Sequence, residues 1–426
     1  MDFSLPRGLR DISSEEAENS EIVRSAFLET CRIFDYKLME PSSLENLSTL
    51  EAKSGPAIRD EIYYFKDKSD RSLGLRFDLT VGITRYVASR RDLSPPIRLG
   101  AYSSVWRYDE PQFGKYRWFY QWDAELYGPS NSEADAEIIE FASILFKKLG
   151  TKPRISIGSR LILESFIRNS LRIENKDRIL DAMRAIDKIT KKTADEIAEE
   201  YSSSISKEQL SKLVDFVKLS GDMNKVNHAL QASKVDSSDL FTIIDSLAAR
   251  GISDVEVNLS IVRGIDYYTG MVFEAFDREN PKLGALCGGG RYDSLPGVYG
   301  RPDIGATGVA GGVERAMLAY KFSKKMEQKI FVAPVGSDPR VKSVATKIAS
   351  SLRSAGLPAQ SDISGRSLRK ILESQSTGTR VVIIVGEREL TNNAVKIKWM
   401  SSGEEILVQL NDVERTLSER RQPQEK

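Results

Sequence analysis

The chain has little of what much of enzyme chemistry leans on. Among its 426 residues there is one histidine, His228, and there are two cysteines, Cys31 and Cys287. The histidine sits in the polar, helix-like stretch GDMNKVNHALQAS, far from any glycine-rich turn, and reads as an ordinary helix-face residue. Ser-His-Asp hydrolysis, HExxH zinc chemistry and histidine phosphotransfer therefore lose their central residue. Two thiols make neither a four-cysteine zinc site nor a secreted disulfide framework, so no metal site from His or Cys is expected, and a cytoplasmic setting is. No apolar run nears the roughly 20 residues needed to span a bilayer. The opening MDFSLPRGLRDI lacks a signal peptide's apolar stretch, so no membrane partner is expected. Net charge is almost missing too: 62 Lys and Arg oppose 61 Asp and Glu, giving +1. Any polyanion must then be met by a local patch rather than a global field. Chemistry is left to Arg, Asp, Glu, Gln and Tyr.

What is present supports two or three cored domains, with 40% hydrophobic and 29% charged residues over this length. Residues 13–36 have the spacing of an amphipathic helix: Ser13 or Ser14 caps it, Glu15 and Glu16 fill its first turn, and Ile22, Ala26, Phe27, Cys31 and Phe34 recur on one face. YKLMEP reads as a strand ending at Pro41. IYYFKD and SLGLRFD flank a turn at 68–70, and RLGAYSSVWRYD and RWFYQWDAELYG form a second antiparallel pair around Pro111 and Gly114. A helix over SEADAEIIEFASILFKKL follows, with Ser132 as cap and Gly150 beyond its end. From about 160 to 250 the pattern turns helical, rich in Lys, Glu, Asp and Ala. Strands return in VEVNLSIVRG, YYTGMVFEAF and GALCGGGRYDSL before a helix in GGVERAMLAYKF. After the connector SKKMEQ, the strands KIFVAPV, RVVIIVG, VKIKWM and EEILVQL, with helices over 339–355, 366–374 and the end of the chain, describe a smaller α/β domain.

Four stretches carry candidate chemistry. In VWRYDEPQFGKYRWFYQWDAELYG, Arg107 lies on one strand, Lys115 and Arg117 on a basic loop, and Gln121, Asp123 and Glu125 alternate on the returning strand. Period two puts those three side chains on one sheet face, where an Arg beside carboxylates can hold both an anion and a hydrogen-bond donor. In IVRGIDYYTG, Arg263 precedes a glycine that admits close approach, and Asp266, Tyr267 and Tyr268 add a carboxylate and two phenols. LCGGGRYDSL lets backbone pass near a flat or phosphorylated ligand, though it is no Walker loop, since neither GKS nor GKT follows. GATGVAGGVERAML leads small residues into a helix carrying Glu314 and Arg315, an arrangement suited to a phosphate tail or to tight packing.

In order, PRG at 6–8, LRFDLT at 75–80, the Arg107 strand pair, RGIDYYTG, CGGGRYD and GVERAML closely resemble the histidyl-tRNA synthetases, class II aminoacyl-tRNA synthetases, over essentially the whole chain. The resemblance implies an α+β fold: a class II antiparallel sheet with flanking helices over 1–160 and 251–325, a helical insertion over 161–250, and a C-terminal α/β anticodon-binding domain over 330–426. It implies ATP with Mg2+, L-histidine and tRNA(His) as substrates and partners, and a homodimer. By similarity Arg107 and Arg263 are catalytic, gripping the α-phosphate from two sides. Arg107, Asp109, Lys115 and Arg315 bind ATP. Asp78, Thr80, Arg107, Gln121, Arg263 and Tyr267 belong to the histidine site, where Glu125 and Tyr268 bracket the imidazole. Gln112 and Arg117, with Lys115, are candidates for the acceptor end of the tRNA. Lys115 stands where the family's loop usually has Arg, keeping a charge but losing a bidentate fork. Asp78 and Asp109 stand where bacterial members carry Glu, which is similar to archaeal and eukaryotic members.

A rival reading is a non-catalytic paralogue such as the regulatory subunit of ATP phosphoribosyltransferase in histidine synthesis. Such paralogues lose motif residues and usually lack the last domain, whereas Arg107, Glu125, Arg263, Tyr268 and Arg315 are all present here. Residues 330–426 carry 15 Lys and Arg against 11 Asp and Glu, a modest bias toward RNA. Cutting near Glu327 is therefore expected to spare pyrophosphate exchange while tRNA charging falls sharply, with a shallower salt dependence of RNA binding. Equal loss of exchange and charging in a folded fragment would overturn that division of labour.

Overall fold

The computed structural model describes residues 3–108, 116–188, 192–221, 223–233, 235–261, 268–320, 329–375 and 378–420. The chain divides into two compact units, 1–322 and 323–426. The first helix, Ser14–Ile33, begins with a capping box in which Ser13 accepts from the Glu16 N–H and Glu16 accepts from that of Ser13. Its buried face is Val23, Ala26, Phe27, Thr30 and Cys31. Ile22 was expected on that face but is 38% exposed, because Val23 is the residue in register with Phe27 and Cys31 at four-residue spacing.

In the first unit nine strands form one sheet among the described residues. Ile97–Trp106 and Trp118–Gly128 make the central hairpin, paired from Ile97 opposite Tyr127 to Trp106 opposite Trp118. Gly305–Gly312, Ala285–Arg291, Met271–Asp277 and Pro153–Ser159 continue it, each antiparallel to the last. Two pairings are parallel: Lys37–Leu38 beside the hairpin, and Val255–Asn258 beside Pro153–Ser159. The strand expected over YKLMEP is thus only two residues long. A separate small sheet holds Leu44–Asn46, Tyr64–Lys66 and Ser72–Leu75, including the expected hairpin around 68–70.

One face of the large sheet is covered by Ser14–Ile33 and Ser132–Lys148. Phe27, Trp122, Ala124, Leu126, Ile138, Phe141 and Leu145 share that core. The cap of the second helix is Asn131, not Ser132, since the Asn131 side chain accepts from the Ala134 N–H at 2.9 Å. The opposite face is covered by the helix Thr80–Ser89, whose Ile83 and Val87, with Leu79 just before it, pack with Leu99, Ala101, Tyr127 and Tyr292. Among the described residues six helices lie between Arg160 and Ala249. They share one apolar cluster with the sheet. Phe166 stacks on Phe216 within this segment at 3.7 Å, and Arg250 pairs with Glu133 and Glu140 of the Ser132–Lys148 helix. His228 lies exposed on Met223–Ala232, as its setting in the sequence implies. Both cysteines are buried free thiols, and burial pushes that of Cys31 up to about 12.

Among the described residues the second unit holds a five-stranded sheet in the order Ala359–Ser361, Lys329–Val335, Thr379–Gly386, Ala394–Trp399, Glu405–Gln409. Its first three strands are parallel and the last two antiparallel. The helices Pro339–Ser354 and Val413–Glu419 pack Val341, Ile348, Leu352 and Leu417 onto one side.

Phe141 touches four rings of the main core, those of Phe27, Phe34, Tyr36 and Trp122, and is fully buried. Phe141→Ala is expected to cost about 3–5 kcal/mol in urea unfolding. A loss below about 1 kcal/mol would mean that the ring is not a keystone of this core.

Candidate active site

The site lies on the sheet face under the helix Thr80–Ser89. Gln121, Asp123 and Glu125 project there at period two and are only 4%, 0% and 1% exposed. Buried polar groups need partners, and each of these finds one on a different element. Thr80 Oγ1 donates to Asp123 Oδ2 at 3.1 Å, and Gln121 Nε2 donates to Asp123 Oδ1 at 2.8 Å. The hydroxyl of Tyr292, from the strand end after GGGR, bonds Glu125 Oε2. Arg107, just past the hairpin strand, donates from Nε to the Phe77 carbonyl at 2.9 Å and from Nη2 to Gln121 Oε1 at 3.3 Å. Asp78 is buried, and its Oδ1 accepts the Val81 N–H at 3.1 Å, so the carboxylate is oriented by the start of the helix it precedes.

Beside Gln121 opens a cavity of about 300 Å³. Its walls include Arg107, Phe119, Glu314 and Arg315, and its floor Gly288, Ala310, Gly311 and Gly312. The Arg107 guanidinium lies 5.2 Å from the Phe119 ring centroid, and Arg315 Nη1 donates to the Ala285 carbonyl at 2.6 Å. Two guanidiniums over a floor nearly without side chains suit a flat ring joined to phosphates. The glycines are sterically required next to the polar row. A Cβ on Gly308, directly opposite Glu125, would collide with that carboxylate, and one on Gly290 would meet the Tyr268 ring at 3.0 Å. Tyr268 itself is buried and stands edge-on to Tyr292, with centroids 6.4 Å apart.

Glu314 anchors the helix Val313–Ala319 by accepting the Tyr120 N–H at 3.2 and 3.3 Å. Burial holds its carboxyl above the ordinary range against that donor and the nearby Arg10. Arg10 lies 3.6 Å from Glu314 and stacks at 4.1 Å on Tyr116, so the segment after PRG is fastened to the hairpin mouth.

Of the residues expected from sequence, the structure brings Asp78, Thr80, Arg107, Gln121, Glu125 and Tyr268 onto one face and puts Arg315 on the adjoining cavity. Asp109, Gln112, Lys115, Arg263 and Tyr267 lie outside the described residues. Arg117 is placed differently from the exposed basic loop expected: it is buried, stacked at 4.0 Å on Tyr108, with Nη1 donating to the Arg7 carbonyl at 3.3 Å. Its fork serves the hairpin base rather than an RNA surface. Two residues went unnoticed in the sequence. One is Tyr292, whose signal was the phenol within GGGRYD. The other is Glu274, buried on the same sheet face, opposite Gly288 and in the same cross-strand row as Asp123.

A large, mostly antiparallel sheet flanked by helices, followed in the chain by a smaller sheet unit, is the fold of a class II aminoacyl-tRNA synthetase. Comparison with known proteins narrows this. The family model for histidyl-tRNA synthetase matches residues 8–316, and that for an anticodon binding domain matches 329–420. The chain belongs to the histidyl-tRNA synthetase family. The histidine–tRNA ligase of Thermoplasma volcanium is 32% identical over 422 residues, covering 97% of this chain and 98% of that protein. That of Pyrobaculum islandicum is 34% identical over 412 residues, 94% and 95% of the two chains. The histidyl-tRNA synthetase structure from a Nostoc species shares the fold with a TM-score of 0.81 at 24% identity, over 99% of this chain and 100% of that one.

Arg291, in the same GGGRYD strand, turns to the other face. It pairs with buried Asp135 at 2.8 Å and with Asp293 at 3.0 Å, and donates to the Asn131 carbonyl at 2.9 Å. Burial raises the Asp135 carboxyl above its ordinary range even beside this arginine. Arg291→Met, which strands that carboxylate, is expected to cost about 3–5 kcal/mol at neutral pH. An acid whose folded pKa lies above its unfolded one loses stability as pH rises, so the deficit should shrink on acidification. Urea unfolding of both proteins across pH checks this, and a deficit independent of pH would contradict it.

Proposed function

We propose that the buried row holds histidine and the adjoining cavity ATP, so that the two meet at Arg107. Attachment of histidine to tRNA(His) with ATP is the activity of the family. Histidine's α-amino group sits against Asp78, Thr80 and Gln121, and its imidazole lies between Glu125, which accepts a ring N–H, and Tyr268. The family motif assigns Tyr267 to the same ligand. Adenine and ribose lie over the glycine floor, with Asp109 their partner by the family motif, and Arg315 meets the γ-phosphate. The histidine carboxylate attacks the α-phosphate, forming histidyl-adenylate and expelling pyrophosphate. Negative charge gathers on a crowded phosphorus, which Arg107 and Arg263 neutralise from two sides. The 3′-terminal ribose hydroxyl then attacks the acyl carbon and AMP leaves.

The observation that carries this reading is Glu125. A carboxylate 1% exposed, oriented by the Tyr292 hydroxyl on a floor that Gly308 and Gly290 keep clear of side chains, is a preset acceptor for a ring N–H. Mg2+ fits the same face. It needs one or two carboxylates besides substrate phosphates, and Glu274, paired across from Gly288 of the cavity floor, would supply one. When bound, the ion offsets charge on the phosphate oxygens.

The proposal extends to the rest of the chain. Residues 161–250 form a helical insertion and 330–426 read the anticodon. Gln112 and Lys115 meet the acceptor end, in place of Arg117. Exposed Ile33, Leu38 and Leu44, near the two-residue edge strand, support a homodimer through that edge. A cytoplasmic setting is part of the same reading; among the described residues no helix is long and apolar enough to cross a membrane.

The test is histidine-dependent pyrophosphate exchange. Arg263→Ala should lose roughly a hundred- to a thousand-fold in rate while still binding histidine. Glu125→Gln should raise the KM for histidine far more than that for ATP. Near-normal exchange in the first, or unchanged histidine KM in the second, would remove that residue from its role.

A further inference from the structure

The stretch before the first helix carries an arginine that belongs neither to the histidine row nor to the walls of the cavity. Ahead of it the Leu9 N–H donates to the Pro6 carbonyl at 3.0 Å, closing a tight turn whose third residue, Gly8, has a φ of 83°. Glycine adopts that conformation without strain. The turn presents two carbonyls to one residue: that of Gly8 accepts the Arg117 N–H at 3.2 Å, and that of Arg7 accepts from Arg117 Nη1 at 3.3 Å. Residues 7 and 8 are thereby bound just ahead of the strand Trp118–Gly128, and Arg10 emerges beside Tyr116.

The Arg10 guanidinium lies 4.1 Å from the Tyr116 ring centroid, Nη1 donates to Glu16 Oε1 at 2.7 Å, and Nη2 stands 3.6 Å from Glu314 Oε1. Tyr116 and Glu314 both line the cavity that holds Arg107 and Arg315. Glu16 is fixed in turn by the capping box of the first helix, so the cation is anchored from outside the cavity. Each contact bears on the cavity's shape. A guanidinium over the ring holds the tyrosine to one orientation as a wall. Glu314 is buried with both oxygens on the Tyr120 N–H, a place where an anion is costly without a cation nearby, and Arg10 supplies the cation. Arg315 is the next residue of the same helix, so what holds Glu314 also sets Arg315.

We propose that Arg10 is a positioning residue for ATP, holding Tyr116 and the helix that bears Arg315 at the separation the nucleotide fills. This rests on the reading of the cavity as the ATP site. Arg10 acts through Tyr116 and Glu314 rather than on the nucleotide itself. The histidine row draws its donors from Thr80, Arg107 and Tyr292, a different set of side chains, so the effect is confined to ATP.

The experiment is pyrophosphate exchange by the full-length protein, with KM for ATP and KM for histidine read separately. Arg10→Gln should raise ATP KM by about three- to thirty-fold, the span of a partly desolvated cation on an aromatic face, and leave histidine KM within about two-fold. Arg10→Lys keeps the charge but loses the planar fork that spans Tyr116, Glu16 and Glu314, and should recover part of the loss. Tyr116→Leu removes one of the two cavity contacts, so adding Arg10→Gln to it should raise ATP KM by a smaller factor than in the wild type. A merely structural role gives other results: both KM values rising together, equal factors in the two backgrounds, or a lysine no better than glutamine. Any of these overturns the proposal. Arg315→Ala, run alongside, tests the cavity reading by itself. If it raises ATP KM while Arg10→Gln does not, the positioning role fails and the ATP site stands. If it leaves ATP KM unchanged, the cavity reading fails and the positioning role with it.

Discussion

Three polar side chains taken out of water on one strand are the constraint around which the first unit is arranged. Gln121, Asp123 and Glu125 occupy a sheet face that would otherwise be apolar, as Tyr127 and its Leu79, Ile83 and Leu295 neighbours are. Such groups are tolerated only when donors arrive from elsewhere. They come from the helix Thr80–Ser89 through Thr80, from the hairpin end through Arg107, and from the GGGRYD strand through Tyr292. Elements distant in sequence are thereby held to one point, and a ligand arriving there meets preset partners.

The same requirement explains the glycines. Polar side chains standing on one strand need bare backbone on the next, and Gly308 opposite Glu125 is where a methyl group has no room. Farther along the strand pair the absence of side chains becomes the floor of the cavity between Arg107 and Arg315. In the proposed reading, recognition of a small polar ring and accommodation of a flat nucleotide both draw on one device, a sheet alternating full and empty positions. The helix after the last glycine strand is fixed by Glu314 to the Tyr120 backbone, which sets the bearing of Arg315.

Much of this was readable in the chain. Period-two alternation in QWDAELYG gave the face, and the structure adds only that it is buried. The capping box at Ser13 and Glu16 and the strands of the second unit also follow local rules. What escaped depended on tertiary context. The helix Thr80–Ser89 went unread because its sequence, TVGITRYVAS, is β-branched and weakly helical, and packing over the sheet decides it. Asn131 rather than Ser132 caps its helix, a one-residue choice that flanking sequence does not settle. Arg117 looked like a basic loop residue, and only the nearness of Tyr108 and the Arg7 carbonyl shows why it is buried. Tyr292 and Glu274 belong to strands whose register with the polar row no local pattern reveals.

The central claim is that a buried carboxylate reads ring nitrogen protons. The most direct measurement compares histidine with β-(2-thienyl)alanine, a five-membered ring of similar size without a donor, as substrates for pyrophosphate exchange by the unaltered protein. A site whose buried groups are left unpaired by the analogue should prefer histidine by about four orders of magnitude in kcat/KM. A preference of only ten- to two-hundred-fold, the range that shape alone provides, would contradict it.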